Sequence, residues 1–434
     1  MNKTLINISG ISLLISLILS IFYEFKIITS LFPSGIFAFV ASTILFFKLN
    51  KSKKIFIAIL SLLGLIFYII AYNLDSSINL TKMITSNQFL LSLLISVHFL
   101  RLISLSNVKK QEVLPTSKKA FFKTYLGLHL FGSVINLSVV LLVADNLYKK
   151  AKLTKEQLIV LTRAFSSDAY WSPFFVAFAA ATTYAHDGNI NYIVFFGLLL
   201  AFFSFIYTYL ELRYKQKYSL TNFVGFPISM QTIWLPFLLL VLVSITHYFF
   251  NDLKVIVLIS FYCILIVFIF LSFKYNIKKS VKKIISHSKN KLPSMHSELI
   301  LFLVAGLFGS AVSNLLLINN INLPFSTFDG VTASIILAVI ILVSFVGIHP
   351  IISISILGHW MNTMPINQTL MAVMFLLSWG ISVGASPISG LNLTLQARYD
   401  VKIKELFSIN LVYAFLSYLC ASLFLILLSH FLGI

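Results

Sequence analysis

Long apolar runs separated by short polar gaps repeat from one end of the chain to the other. Those at 5–23, 27–47, 55–72, 83–103, 157–184, 192–210, 232–250, 255–273, 299–318, 369–397 and 407–431 have about the 18 or more residues that a helix needs to cross a bilayer. Two other apolar stretches do not read as single crossings. Between 123 and 148 the run is interrupted by Phe131-Gly132-Ser133. Between 330 and 363 a first apolar segment ends at Gly347-Ile348-His349-Pro350, and only twelve residues follow before the polar "TMPINQ". Twelve helical residues rise about 18 Å, too little for a hydrocarbon core of about 30 Å. Both stretches are therefore expected to be re-entrant hairpins.

Composition agrees with this pattern. The 434 residues are 59% hydrophobic and 10% charged, which leaves too little charge to coat the two or three soluble domains such a length would otherwise suggest. The net charge of +19 invites a nucleic-acid reading, but the basic residues sit in the short gaps between apolar runs, as cytoplasmic loops do. With Lys3 inside and 123–148 as a hairpin, 28 of the 32 basic residues fall on the cytoplasmic side; Lys26, Lys82 and Lys254 lie outside and Arg163 within a span. A single crossing at 124–146 would instead misplace fourteen of them, including the seven lysines of 274–291. No small-x-small cleavage pattern closes the first run, so it reads as a retained span rather than a signal peptide. Cys263 and Cys420 both lie in apolar runs and form no metal-ligand spacing.

The expected fold is an all-α polytopic membrane protein, with about 11 transmembrane helices and two re-entrant hairpins in an inverted-topology repeat. After an extra span in 1–25, the first repeat covers 26–215, with its hairpin at 123–148 and a proline-broken helix at 157–184. The second covers 216–434, with its hairpin at 330–363 and a broken helix at 367–397. Each broken helix carries a Ser-Pro pair, Ser172-Pro173 and Ser386-Pro387. Proline has no amide hydrogen, so these two leave the carbonyls of Ala169 and Val383 without their helical donors. Such carbonyls suit a cation, and the helix N-terminus beyond each break suits an anion. Ordinary proline kinks between packed helices are the alternative.

Taken with "FGSVIN", "SDAYWSP", "GIHPIIS" and "GASPISGLN", this order of spans, hairpins and breaks resembles the ion transporter superfamily, in particular its divalent anion/sodium symporter branch. The resemblance implies transport by one domain moving against a fixed scaffold, and a homodimer. That branch carries a Ser-Asn-Thr signature at its hairpin tips. Here the first tip offers Gly132 and Ser133 with Asn136, and the second offers His349 with Ser353.

A substrate site is therefore expected from Gly132, Ser133, Asn136, Ser172, His349, Ser353, Ser386, Ser389 and Asn392, and a coupling-ion site from Asp168, Ser167, Ala169 and Val383. Asp168 lies near the bilayer midplane, where an unpaired carboxylate costs at least about 2.5–3.5 kcal/mol. It must be paired, protonated or bound to a cation. Arg163 either snorkels to the inner interface or pairs with Asp168 or the substrate. His98, His129, His247 and His430 read as hydrogen-bonded packing or interfacial residues, His359 beside Trp360 as part of an aromatic belt, and the basic loop 274–291 as a topology signal that also attracts anionic lipid. The function these features predict is a secondary active transporter in the cytoplasmic membrane, with its N-terminus inside and C-terminus outside. It would move a small anionic solute, driven by sodium or protons, without a further cofactor or a nucleic-acid partner. A polytopic enzyme of surface glycan assembly is the alternative, while an intramembrane protease is disfavoured because neither a Gly-x-Ser-x-Gly nor a His-Glu-x-x-His run is present.

Overall fold

The computed structural model describes residues 2–104, 113–215, 218–227 and 234–434. Lys109, Lys110, Lys217 and the expected start of a span at Thr232 lie outside the described residues. In chain order the helices are α1 (Lys3–Glu24), α2 (Phe32–Phe46), α3 (Lys51–Leu74), α4 (Lys82–Thr85), α5 (Gln88–Phe99), α6 (Arg101–Ser104), α7 (Lys118–Ile135), α8 (Leu137–Tyr148), α9 (Lys155–Ser166) and α10 (Val176–Tyr184). They continue with α11 (Ile190–Tyr214), α12 (Trp234–Phe249), α13 (Val255–Lys274), α14 (Ile277–Asn290), α15 (His296–Ile318), α16 (Gly330–Phe345), α17 (Pro350–Met361), α18 (Gln368–Ala385), α19 (Gly390–Tyr399) and α20 (Ile403–Phe431). The fold is all-α, and among the described residues eight helical stretches are long and apolar enough to cross a membrane. The chain is a multi-pass membrane protein.

Polar residues in the gaps start many of these helices. Asn50, Thr154, Asn189, Asn276 and Asn367 each accept a bond from a backbone N–H at the second or third position of the helix that follows, as does Asp329 ahead of α16. Such bonds satisfy amides that have no partner inside the helix. The stretch read as a basic loop at 274–291 is helical over α14. Ser280, Ile284, His287 and Ser288 are its buried side, a spacing of three and four that puts them on one face, and the lysines lie off that face beside exposed Ile277, Val281 and Ile285.

Two compact units emerge, each drawn from three stretches of chain. The first comprises the described residues of Met1–Ser106, Phe237–Pro324 and Ile351–Met364; the second those of Asn107–Pro236, Phe325–Pro350 and Pro365–Ile434. The units therefore interleave along the chain, and the two arms of the expected second hairpin are divided between them: α16 lies in the second unit, and α17 from Ile351 onward in the first.

Within the first unit, a buried polar knot joins α1, α2 and α5. Gln88 Nε2 donates to Ser16 Oγ (2.7 Å) and Ser34 Oγ (2.6 Å), while Ser34 Oγ donates to the Ser16 carbonyl at 2.7 Å. Small hydroxyl residues let membrane helices approach closely and bond across the contact. Elsewhere in this unit, His98 Nδ1 lies 2.9 Å from His287 Nε2, linking α5 to α14. The second unit contains both broken helices and nearly every residue that the sequence assigns to a site.

Candidate functional site

α9 starts in a reciprocal cap, with Gln157 N–H bonded to Thr154 Oγ1 and Thr154 N–H to Gln157 Oε1. It runs to Ser166, tightens into a 3-10 turn over Ser167–Tyr170, and leaves helical geometry until α10 begins at Val176. Pro173, buried in that gap, cannot donate. The Ser172 amide still reaches the Asp168 carbonyl at 3.0 Å. The Ser172 hydroxyl turns the other way and donates to the Ser133 carbonyl of α7 at 2.7 Å.

The second break has the same construction. α18 ends at Ala385, Ser386-Pro387 follows, and Ser389 caps α19 by accepting the Asn392 amide at 3.1 Å. The Ser386 hydroxyl donates to the Ser344 carbonyl of α16 at 2.7 Å. Ser133 and Ser344 also match each other, for each donates its own hydroxyl three residues back, to Leu130 (2.9 Å) and Ile341 (2.7 Å). A few residues on, each helix ends in a positive-φ residue, Asn136 at 55° and Gly347 at 118°. Asparagine tolerates the left-handed region better than most residues, and only glycine is at ease at the second angle. The first reversal thus falls at Asn136 and not at Phe131-Gly132-Ser133, which lie inside α7. A glycine and a serine do not interrupt a helix whose backbone bonds continue past them.

These two breaks lie beside one another. Gly380 and Gly384 of α18 face the Tyr170 ring and Ser166, leaving no room for a side chain at either glycine. Asn392, fully buried, donates to the Ser386 carbonyl at 2.9 Å, yet its own Oδ1 has no hydrogen-bond partner among the described residues, and neither has Ser382 Oγ. Arg398 of α19 makes a two-bond contact with Asp145 of α8 (3.0 and 2.8 Å), and Tyr399 donates to the same carboxylate at 2.8 Å. The α7–α8 hairpin is thereby tied to the helix beyond the second break.

Asp168, fully buried in the 3-10 turn, faces His129 of α7, with Oδ1 and Nδ1 2.7 Å apart. Its Oδ2 occupies the space where a side chain at Gly132 would go. Trp171 Nε1 donates to His129 Nε2 at 3.2 Å. Because an indole nitrogen only donates, that bond makes Nε2 the acceptor and leaves the imidazole proton on Nδ1. Three oxygens surround Nδ1: Asp168 Oδ1, Ser167 Oγ at 3.0 Å and the Ala164 carbonyl at 3.2 Å. The N–H is aligned with the latter two, and neither Asp168 oxygen has an aligned donor among the described residues.

Arg163 neither snorkels nor meets Asp168. Its side chain is fully buried and bonded to Glu211 Oε2 (2.7 Å), Asn410 Oδ1 (3.0 Å) and the Ile409 carbonyl (2.9 Å), with the Tyr413 ring 4.5 Å below. Five positions along the chain put the two residues on different sides of the helix. His129, read as a packing residue, is the partner of Asp168. Glu211, Asn410 and Asp145 are absent from the sequence reading, although an acid at the end of an apolar run and one turn before Lys215 is a signal for Glu211.

The structure therefore brings Gly132, Ser133, Ser167, Asp168, Ser172, Ser386, Ser389 and Asn392 into two linked clusters of the second unit. Ala169 and Val383 are buried at the two breaks, beside Pro173 and Pro387. Asn136 sits at the α7–α8 junction, and His349 packs edge-on against Trp379 with ring centroids 5.2 Å apart. Ser353 lies in the first unit.

No family model and no curated protein matches the chain. Among solved structures it is similar to the YdaH transporter of Alcanivorax borkumensis, at 14% identity over 80% of this chain and 85% of that one, with a TM-score of 0.49. At that score the similarity does not fix a fold family.

Proposed function

We propose that this protein is a secondary active transporter whose solute site lies where the two broken helices of the second unit meet. The observation that carries the reading is the repeated bond, Ser172 to the Ser133 carbonyl and Ser386 to the Ser344 carbonyl, each 2.7 Å. Two helices interrupted alike, each fastened by its Ser-Pro serine to the helix before it, form the discontinuous-helix arrangement in which secondary transporters bind near the midplane. Proline breaks are tolerated at membrane depth where protein or a wet cavity satisfies the freed backbone. The helix N-termini of α10 and α19 favour a small anion. In this reading the ion transporter superfamily resemblance supplies the mode, alternating access driven by sodium or protons across the cytoplasmic membrane, with Asp168 as coupling residue.

A panel of small carboxylates, inorganic anions and neutral solutes, screened by thermal shift in detergent and followed by uptake of the hits into proteoliposomes, tests the proposal. The expected result is gradient-driven uptake of at least one anion, lost in Asn392→Ala. Folded protein that takes up none of the panel would contradict it.

A further inference from the structure

The nearest polar neighbour of the Asp168 carboxylate is a nitrogen, His129 Nδ1. Hard cations take a shell of oxygen ligands, and the sequence supplies candidates in Ser167, Ser172 and the carbonyls at the break. In the folded unit those hydroxyls donate away from the carboxylate, Ser167 to the Ala164 carbonyl at 2.9 Å and Ser172 to that of Ser133. One carboxylate oxygen meets an imidazole nitrogen, the other the bare Cα face of Gly132.

We infer that the coupling ion is a proton, carried by the Asp168–His129 pair and held in register by Trp171. The inference rests on the transporter reading and specifies its driving ion. Asp168 and His129 are each other's charge partners. Of the other charged groups on the helices packed around them, Lys118, Lys119 and Lys123 occupy the start of α7, Lys155 and Glu156 the start of α9, and Arg213 the end of α11, while Arg163 and Glu211 are bonded to one another. α18 carries no charged residue. One proton added to Asp168 forms an O–H bond and removes the site's net negative charge. Its release to the opposite side restores that charge, and nothing is oxidised or reduced.

Trp171 connects this proton to the shape of the break. While its N–H occupies His129 Nε2, the imidazole cannot accept a second proton there. Trp171 is also the first residue beyond the 3-10 turn, so it moves with the break. A rearrangement that withdraws the indole frees Nε2 and changes how many protons the pair can hold. Conformation and proton count are then linked through one hydrogen bond, as a coupled carrier requires.

The ion at Asp168 can be read without a known solute. Infrared difference spectra between acidic and alkaline buffers, recorded on detergent-purified protein in choline chloride, are expected to contain a protonated-carboxyl band. Asp168→Asn should lose it, and His129→Gln and Trp171→Phe should shift it. Replacing choline with sodium is expected to alter neither the band nor the melting temperature. A band unchanged in all three variants, or one that sodium suppresses while raising the melting temperature, would overturn the inference. Should Asp168→Asn not fold, the shifts in His129→Gln and Trp171→Phe decide the matter. Sodium competition would leave the transporter proposal intact, since that stands on uptake.

Discussion

The two helix breaks share a scaffold and differ in chemistry. Aligning Ser172 with Ser386, and Ser133 with Ser344, sets Asp168 opposite Ser382, His129 opposite Ile340, Gly132 opposite Val343 and Trp171 opposite Ala385. Every group of the charged cluster is thus replaced by an apolar or neutral residue at the second break. What remains there is neutral polarity, with Ser382 Oγ and Asn392 Oδ1 buried and free of hydrogen-bond partners among the described residues. The backbone device is duplicated and the Asp168–His129 pair is not. In the transport proposal both breaks border the solute site, and the first alone carries the coupling residue.

The largest effect is expected from a residue that belongs to neither break's chemistry. Arg163→Met leaves Glu211 with Lys215 as its one charged partner, at 2.5 Å. Removing one member of a buried pair costs about 3–5 kcal/mol, so the variant should show a sharply lower melting temperature and yield, whereas Asp168→Asn should keep both near the unmutated values. Equal destabilisation of the two would place Asp168 among the structural residues and remove the contrast between the breaks.

Next is Gly132→Val, which gives the first hairpin the residue of the second. The added side chain meets Asp168 Oδ2 and the Phe165 ring, an overpacking that costs about 1–3 kcal/mol. It should displace the carboxylate and stop uptake in protein that still inserts and folds. Normal uptake would mean that the close approach of Gly132 to Asp168 does not matter.

The smallest effects sharpen the symmetry. Ser172→Ala and Ser386→Ala each remove a buried bond of the same length, and Ser172→Ala also frees the Phe174 amide, which donates to its hydroxyl at 3.3 Å; such bonds average about 0.6 kcal/mol inside a membrane protein. Thermal melts should show two small losses, with that of Ser172→Ala no smaller than that of Ser386→Ala. A loss at one site only would show that the breaks are not equivalent in the folded state.

How much of this could be read from the sequence depends on the distance over which each feature is determined. Helix positions follow local rules: apolar length and proline's missing donor located most elements to within a few residues, and both breaks. The α14 helix was hidden because its seven-lysine surroundings resemble a loop, and only the spacing of Ser280, Ile284, His287 and Ser288 betrays it. The first turn was misplaced by a few residues, since glycine and serine suggest a break but a positive φ at Asn136 makes it. Pairings were the least accessible. Asp168 chooses His129, 39 positions away, over the nearby Arg163, and no local pattern announces that choice. The division of the chain into interleaved units is likewise invisible to hydropathy, which sees each helix alone. A comparison of the two hairpins anchored on their Ser-Pro pairs would have found Ser344 as the counterpart of Ser133.

The central claim is that the first break carries the driving ion and the second does not, and Asp168→Asn in proteoliposomes tests it most directly. Using a solute identified by the binding screen, accumulation against its gradient is measured beside one-for-one exchange of labelled for unlabelled solute. The account predicts that exchange persists while accumulation is lost, with Ser382→Ala retaining both. Accumulation at the unmutated level in Asp168→Asn, with an unchanged response to sodium and pH, would contradict it.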